Sequence, residues 1–277
     1  MSRIENAMEK AALLRQGLVE PAVAEATEPP PRKAVHLAPP VPAPGQRLTP
    51  RNPFLVNLHD PHSPTAEEYR KLKSVLVKMT KGEQFRNTLM VTSSVPNEGK
   101  SLTALNLAIS LAQEIDHTVL LIDGDLRRPS LHRYLDIEQG TGLAEVLLGE
   151  ADISETIVPT GIGKLSVMRA GRQVENPAEL FSSQRMKELL GEMKNRYADR
   201  YIIFDTPPVL PFAETRSLAH LVDGVLFVVM ERLAAQESVR DALDSLKGCG
   251  LLGLVYNAAE LSGNDERYSY YRTYDKR

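Results

Sequence analysis

The segment TLMVTSSVPNEGKSLTALNLAISLA, residues 88–112, decides the fold of this chain. Its first residues favour a strand, its last residues form an apolar helical pattern, and Gly99-Lys100-Ser101 joins the two. This order matches the second half of the phosphate-binding loop G-x-x-x-x-G-K-[ST] in its usual setting between a strand and a helix. Ser94 stands where the first glycine of that motif is expected. The segment therefore predicts a site for the phosphates of a nucleotide.

The residue types in this loop suit phosphate chemistry. Gly99 lets the backbone approach a phosphate, Lys100 supplies a positive charge to the β- and γ-phosphates, and the Ser101 hydroxyl can bind Mg²⁺. The amino end of the following helix adds its dipole. We therefore predict ATP and Mg²⁺ as cofactors. The predicted cofactor-binding residues of the loop are Pro96, Asn97, Glu98, Gly99, Lys100, Ser101 and Leu102.

Two later apolar segments end in aspartates. In VLLIDGD, Asp123 and Asp125 are two residues apart, so their side chains point the same way on an extended chain. Two carboxylates on one face repel each other unless a cation or a proton lies between them. YIIFD ends in Asp205, where an acidic residue can organise the water shell of Mg²⁺. The alternatives are a solvated acidic turn for the first pair and an ordinary strand end for Asp205.

Strands and helices alternate along residues 64–258. The predicted strands are short and almost wholly apolar, which is typical of parallel strands covered by helices on both faces. The predicted fold class is therefore α/β, with a doubly wound, mostly parallel sheet in a single domain over residues 64–258.

The first 63 residues have a different composition. For residues 1–20 we predict a short amphipathic helix, which is either a docking helix or a marginal helix without a partner. Twelve of the chain's 19 prolines lie between Pro21 and Pro64. Because proline lacks a backbone donor and favours polyproline II, we predict a disordered linker over residues 21–63.

The overall composition limits the possible functions. A net charge of −3 argues against a nucleic-acid partner bound by bulk positive charge. The single cysteine, Cys249, permits no internal disulfide and suggests a reducing compartment. The apolar runs are too short to span a bilayer. We predict a cytoplasmic protein that reaches the membrane only through a partner.

The last ten residues, YSYYRTYDKR, concentrate four of the nine tyrosines of the chain. No alternating or helical apolar pattern accompanies them, so the predicted tail over residues 259–277 is flexible. The alternatives are low-complexity sequence or a strand that packs on a neighbour. The tyrosines concerned are Tyr268, Tyr270, Tyr271 and Tyr274.

These features together resemble the bacterial tyrosine kinases of the CpsD/CapB type, over about residues 64–277. The family's motif hhhDxDxR is matched by residues 120–127, and its motif hhhD by residues 202–205. The tyrosine-rich tail matches the C-terminal cluster of the family. The fold implied is a P-loop NTPase similar to MinD and ParA. The N-terminal extension resembles that of the XrtA-associated tyrosine autokinases of exopolysaccharide loci.

The resemblance implies an ATP-dependent protein-tyrosine autokinase that phosphorylates the four tail tyrosines in trans. Asp123 would orient or deprotonate the incoming phenol, and Lys100 would stabilise the transferred phosphoryl group. Asp125 and Asp205 would hold Mg²⁺ or its waters together with Ser101. The division of roles between the first two aspartates stays open. Asn257, which ends the last strand, either lies near the adenine or is a turn residue.

The chain departs from the family pattern at two places. Asn97 replaces a glycine of the family loop P-G-E-G-K, and asparagine tolerates left-handed backbone better than most residues. The family's oligomerisation motif E-x-x-R-x-x-R reads Glu67, Arg70 and Lys73, on one face of a helix. Lysine lacks the two-pronged fork of arginine, which predicts weaker ring assembly. A solvated charged face is the alternative for this helix.

The resemblance also implies partners. They are a transmembrane polysaccharide chain-length determinant (a co-polymerase), further copies of this chain in a ring, and a cognate tyrosine phosphatase. The process would be exopolysaccharide polymerisation and export at the cytoplasmic side of the inner membrane. Two other functions stay open, a ParA/MinD-type ATPase and a nucleotide-gated scaffold without catalysis. The ATPases carry a second lysine in their loop where this chain has Val95, and the tyrosine tail also argues against them.

Overall fold

The structure, a computed structural model, describes residues 47–82, 84–196 and 199–259. Within them a seven-stranded sheet has the order β3-β4-β2-β5-β1-β6-β7. All neighbouring strands are parallel except β3 and β4. The predicted doubly wound, mostly parallel sheet is therefore confirmed. The strands are β1 (Thr88–Ser93), β2 (Thr118–Asp123), β3 (Ile157–Pro159), β4 (Leu165–Met168), β5 (Arg200–Asp205), β6 (Gly224–Met230) and β7 (Leu251–Asn257).

Helices alternate with these strands. In the described ranges they are α1 (Val56–His59), α2 (Pro64–Thr80), α3 (Lys100–Ala112), α4 (Leu131–Tyr134), α5 (Leu143–Leu148), α6 (Ile153–Thr156), α7 (Pro177–Ser182), α8 (Gln184–Arg196), α9 (Ala213–Ala219) and α10 (Gln236–Ser245). None of them has both the length and the apolar character needed to cross a bilayer.

Apolar side chains leave the central strands in both directions, and each set is buried in its own core. Met90 and Phe204 belong to the core on one face, and Leu89 and Ile203 belong to the core on the other face. All four side chains are at most 1% exposed. Helices can cover both faces because the strands offer no polar side, which is the pattern of a buried parallel sheet.

The predicted linker extends too far along the chain. The Leu48 backbone N–H donates to the Thr160 carbonyl at 2.8 Å, and Leu55 is fully buried. The Asn57 side chain donates to the Asn106 carbonyl at 2.9 Å. The linker prediction is therefore wrong for residues 47–63, because the burial of Leu55 and these polar contacts outweigh the proline content. Residues 1–46, with the predicted N-terminal helix, lie outside the described residues.

Two helices, α7 and α8, follow one another between β4 and β5 and are separated by one residue. Ser183 lies between them in extended backbone, with φ −68° and ψ 158°. Its hydroxyl accepts a hydrogen bond from the Met186 N–H at 3.2 Å, so Ser183 ends α7 and caps the amino end of α8.

Candidate active site

Strands β1, β2 and β5 are neighbours, and their carboxyl ends bring the predicted site together. Asp123 and Asp205 are register partners on β2 and β5. Val91 of β1, close to the start of the loop, is the register partner of Asp205 on its other side. The loop and both aspartate-bearing strand ends therefore meet at one edge of the sheet, where ligands bind in open α/β folds.

The loop contains two residues in left-handed backbone. Asn97 has φ 69°, and Gly99 has φ 84° at the amino end of α3. Asparagine adopts this conformation more readily than most residues with a Cβ, as the sequence indicated. A Cβ on Gly99 would lie only 2.0 Å from the Asn257 amide nitrogen. Glycine at position 99 is thus required both by the backbone angle and by the space.

Glu98 stabilises the phosphate-binding loop from within, although the sequence predicted only that it binds the nucleotide. Its side chain is fully buried. The carboxylate accepts hydrogen bonds from the Ser94 hydroxyl at 2.7 Å and the Val95 N–H at 2.9 Å. It also accepts from the Met230 N–H at 3.3 Å, at the end of β6. Glu98 therefore shapes the loop from within and links it to the sheet.

Asn257 contacts the loop. Its side-chain amide donates to the Glu98 carbonyl at 2.9 Å, so the end of β7 supports the loop backbone. The sequence left two roles open for this residue, a place near the adenine and a turn. The structure adds a third role, a direct contact with the phosphate-binding loop.

Asp123 is held by the backbone of the segment that follows β2. One carboxylate oxygen accepts from the Ser130 and Leu131 N–H groups at 2.9 and 3.0 Å, and the other accepts from the Asp125 N–H at 3.2 Å. Burial and the charge of Asp205 nevertheless raise the pKa of Asp123, against the effect of these N–H donors. The result is an oriented carboxyl group that holds a proton more readily than a solvated aspartate.

Asp205 is fully buried, and neither of its carboxylate oxygens has a hydrogen-bond partner among the described residues. Burial raises its pKa; the Lys100 charge lowers it, as do the hydroxyls of Ser101 and Ser130, which lie near the carboxylate without completing a hydrogen bond to it. An unpaired buried carboxylate is expensive, so it indicates a missing cation or hydrogen-bond donor.

Lys100 begins α3 and points toward the aspartates. Its ammonium nitrogen lies 4.0 Å from a carboxylate oxygen of Asp125, and both side chains are largely buried. The other carboxylate oxygen of Asp125 accepts from the Arg128 N–H at 2.9 Å. The structure thus brings Lys100, Ser101 and the three predicted aspartates into one site.

Sequence reasoning missed one ion pair at this edge of the sheet. Arg127, the last residue of the DxDxR motif, donates to Glu214 on α9 at 2.5 Å. Glu214 is buried, and the Arg127 guanidinium also lies over the Phe212 ring, 5.1 Å from its centroid. The two partners are 87 residues apart, and no local signal joined them.

The other predicted residues lie away from this site or outside the described part of the chain. On α2, Glu67 and Arg70 pair with each other, and Lys73 pairs with Glu114 at 2.8 Å. The predicted oligomerisation role of this helix remains a prediction. The four tail tyrosines, with residues 260–277, lie outside the described residues.

Similarity to known proteins decides the family. A family model described as an AAA domain (AAA_31) matches residues 96–248. Tyrosine-protein kinase YwqD of Bacillus subtilis (strain 168) is 36% identical over 223 residues, which are 80% of this chain and 92% of YwqD. This chain belongs to the bacterial tyrosine kinases.

Two further proteins are similar to this kinase. ExoP of Rhizobium meliloti (strain 1021), named a succinoglycan biosynthesis transport protein, is 33% identical over 207 residues, which are 73% of the kinase and 26% of ExoP. The solved kinase domain of the Escherichia coli tyrosine kinase Etk matches with a TM-score of 0.69 and 29% identity, covering 80% of the kinase and 88% of that domain. The predicted family and the predicted protein-tyrosine kinase activity are confirmed.

Proposed function

We propose that this kinase transfers the γ-phosphoryl group of ATP to the C-terminal tyrosines of another copy of itself. The acceptors are Tyr268, Tyr270, Tyr271 and Tyr274. The observation that carries the proposal is the buried, unpaired carboxylate of Asp205 beside a loop that bears Lys100. This arrangement provides negative charge for a cation and positive charge for phosphates within one site.

The residues present fit Mg²⁺ together with a nucleotide. Asp205, Asp125 and the Ser101 hydroxyl would hold the ion or its waters, and the orphaned oxygens of Asp205 are the observation that supports the fit. In the described ranges no three His, Cys, Asp or Glu side chains form a metal site by themselves, so phosphate oxygens and water would complete the coordination. When bound, Mg²⁺ neutralises charge on the β- and γ-phosphates.

Asp123 receives the proton of the attacking phenol in this proposal. A tyrosine hydroxyl has a pKa of about 10 and is a weak nucleophile at neutral pH, so it needs a base. The raised pKa of Asp123 brings this carboxyl closer to the working pH, where a general base is most effective. Its three backbone donors occupy three of about four acceptor positions and fix its orientation.

Lys100 and the loop position the phosphates. The ammonium group stabilises the charge that develops on the transferred phosphoryl group, and the N–H groups at the amino end of α3 face the same side. Gly99 and Asn97 keep the loop backbone in the shape that allows this approach. The oxygen of the tyrosine forms a bond to the γ-phosphorus, the bond to the β-phosphate oxygen breaks, and ADP leaves.

The biological setting proposed is the control of exopolysaccharide polymerisation and export. It is supported by the likeness to ExoP, which is named for succinoglycan transport. A transmembrane chain-length determinant would bring the kinase to the cytoplasmic face of the inner membrane. Each phosphotyrosine adds a charge of about −1.5 to −2, so several together would loosen a ring of copies. A phosphatase would reverse the modification.

The proposal is tested with purified full-length protein, ATP and Mg²⁺. We expect phosphotyrosine on the wild type, none on Lys100→Met, and none when all four tail tyrosines are changed to phenylalanine, as measured by mass spectrometry of the C-terminal peptide. Phosphotyrosine that persists in the four-fold variant would show that the tail is not the acceptor. ATP hydrolysis without any phosphotyrosine would favour the positioning ATPases instead.

A further inference from the structure

A cavity of about 240 Å³ lies beside the active site, at the same edge of the sheet. One wall is formed by Leu126, Arg127 and Pro129, in the segment that follows Asp125, and another by residues 169–173, which follow β4. Because β2 and β4 are paired, both segments leave the sheet side by side. The cavity is large enough to admit a charged side-chain end.

Three guanidinium groups line this cavity, those of Arg127, Arg169 and Arg172. His132 lines it as well, and its pKa is lowered by burial and by the neighbouring Arg133 charge, so its ring is neutral near pH 7. The fixed charge on the cavity wall is therefore supplied by arginine and is positive.

Arg169 is the guanidinium whose hydrogen bonding is incomplete. The other two each have a carboxylate partner, and that of Arg172 is Glu150 at 2.7 Å. Arg169 donates one N–H to the Glu138 carbonyl at 3.1 Å, and its buried Nε has no partner among the described residues. An unsatisfied buried donor costs about 1–3 kcal/mol, so Arg169 is the arginine of the three that gains most from a further acceptor.

We propose that this cavity, defined by Arg127, Arg169 and Arg172, binds an anionic side chain of the tail of another copy, next to the tyrosine being phosphorylated. The inference rests on the proposed function, in which the tail tyrosines are the acceptors. Guanidinium groups bind carboxylates and phosphates through two parallel N–H bonds, and both anions occur in the tail.

The tail offers this anion at a suitable distance from the acceptor. Asp265 and Glu266 precede the first tail tyrosine, and a tyrosine phosphorylated earlier would place a phosphate one to three residues from the next acceptor. An extended chain advances ~3.3 Å per residue, so an anion two to four residues away lies about 7–13 Å from the reacting phenol. The cavity wall begins with Leu126, the residue after Asp125, so the cavity adjoins the site of phosphoryl transfer.

The test uses the full-length kinase with its four tail tyrosines changed to phenylalanine, so that only added peptides accept phosphate. Three peptides of residues 260–277 serve as substrates: the native peptide, one with Asp265→Asn and Glu266→Gln, and one already phosphorylated on Tyr268. The values of kcat and KM are measured for each peptide, with and without Arg169→Gln. Arg172→Gln is a second variant, because the Arg172 side chain is exposed and its replacement should leave the fold unchanged.

We expect Arg169→Gln to raise KM for the native peptide about tenfold, equal to about 1.4 kcal/mol, with little change in kcat. The neutralised peptide should bind poorly and lose less than twofold in either arginine variant. If only the phosphorylated peptide responds to the variants, the ligand is the phosphate; if the native peptide responds, it is the carboxylates. The control is Arg240→Gln on the exposed face of α10, which should leave all three peptides unchanged.

An equal effect of Arg169→Gln and Arg172→Gln on all three peptides, or no effect on any, would overturn this inference while leaving the tail as the acceptor. If the kinase with all three arginines intact phosphorylates none of the peptides, the proposed acceptor is refuted, and the cavity proposal with it.

Discussion

Asp123 and Asp205 are register partners at the carboxyl ends of adjacent parallel strands, and both carboxyl groups are buried. Burial raises the pKa of each, and the charge of Asp205 raises that of Asp123 further. Backbone N–H groups satisfy the Asp123 carboxylate, whereas no residue in the described part of the chain hydrogen-bonds the carboxylate of Asp205. The two strand ends therefore hold negative charge that a divalent cation can neutralise.

This pair predicts a pH-dependent effect of Asp205→Asn on stability. The folded pKa lies above the unfolded value of 3.8, so the unfolded carboxyl ionises first and wild-type stability falls as pH rises through the folded pKa. Asparagine removes this loss. In the absence of Mg²⁺ and nucleotide we compare the Tm of the variant minus the Tm of wild type. We expect this difference to be several degrees higher at about pH 7.5 than at about pH 4.5.

The measurement is thermal unfolding in a chelator at both pH values. The matched control is Asp241→Asn on the exposed side of α10, whose effect should not vary with pH in this way. A Tm difference between Asp205→Asn and wild type that stays constant across the range would contradict the assigned origin of the effect.

The contact between Gly99 and Asn257 predicts the effect of a single methyl group. In Gly99→Ala, the new Cβ meets the Asn257 amide at 2.0 Å, and φ 84° is unfavourable for alanine. We expect at least a tenfold loss of ADP affinity, measured by calorimetry with Mg²⁺, because the loop must shift by more than an ångström. Adding Asn257→Gly to Gly99→Ala removes the clash but not the backbone strain. The double variant should therefore regain only part of the ADP affinity. Full recovery would show that the backbone strain is unimportant.

The pairing of Lys73 leads to a prediction about how strongly copies of the kinase assemble through α2. Its ammonium pairs with Glu114 of the same chain. It can therefore give a neighbouring copy fewer hydrogen bonds than the two-pronged arginine of the family motif would. We expect Lys73→Arg to shift the protein toward larger assemblies at equal concentration, as measured by light scattering after size-exclusion chromatography. Lys71→Arg, exposed on the same helix, is the control, and identical masses for wild type and Lys73→Arg would argue against ring contacts through this face.

The sequence predicted those parts of the fold and site that depend on local pattern. The apolar strands and the left-handed tolerance of Asn97 follow from residue types and their order, and the family resemblance placed Asp123 and Asp205 in one site. The packing of residues 47–63 did not follow, because proline content outweighed the buried Leu55 and the partly buried Leu48 and Leu58 in the prediction.

Contacts between distant segments could not be predicted. A glutamate in a loop is usually solvated, so the burial of Glu98 against the N–H of Met230, 132 residues away, had no local signal. The pairing of Arg127 with Glu214 likewise depends on where α9 packs. The structure was needed to show that two motif residues support the site through such contacts.

The carboxylate of Glu98 has a kinetic consequence. It already accepts hydrogen bonds from the Ser94 hydroxyl, the Val95 N–H and the Met230 N–H, so contacts within the protein itself hold the loop in its form. The conformational entropy of ordering the loop is lost when the chain folds, not at each encounter with a nucleotide. ADP can then be exchanged for ATP without refolding of the loop, which suits an enzyme that must modify several tyrosines in succession.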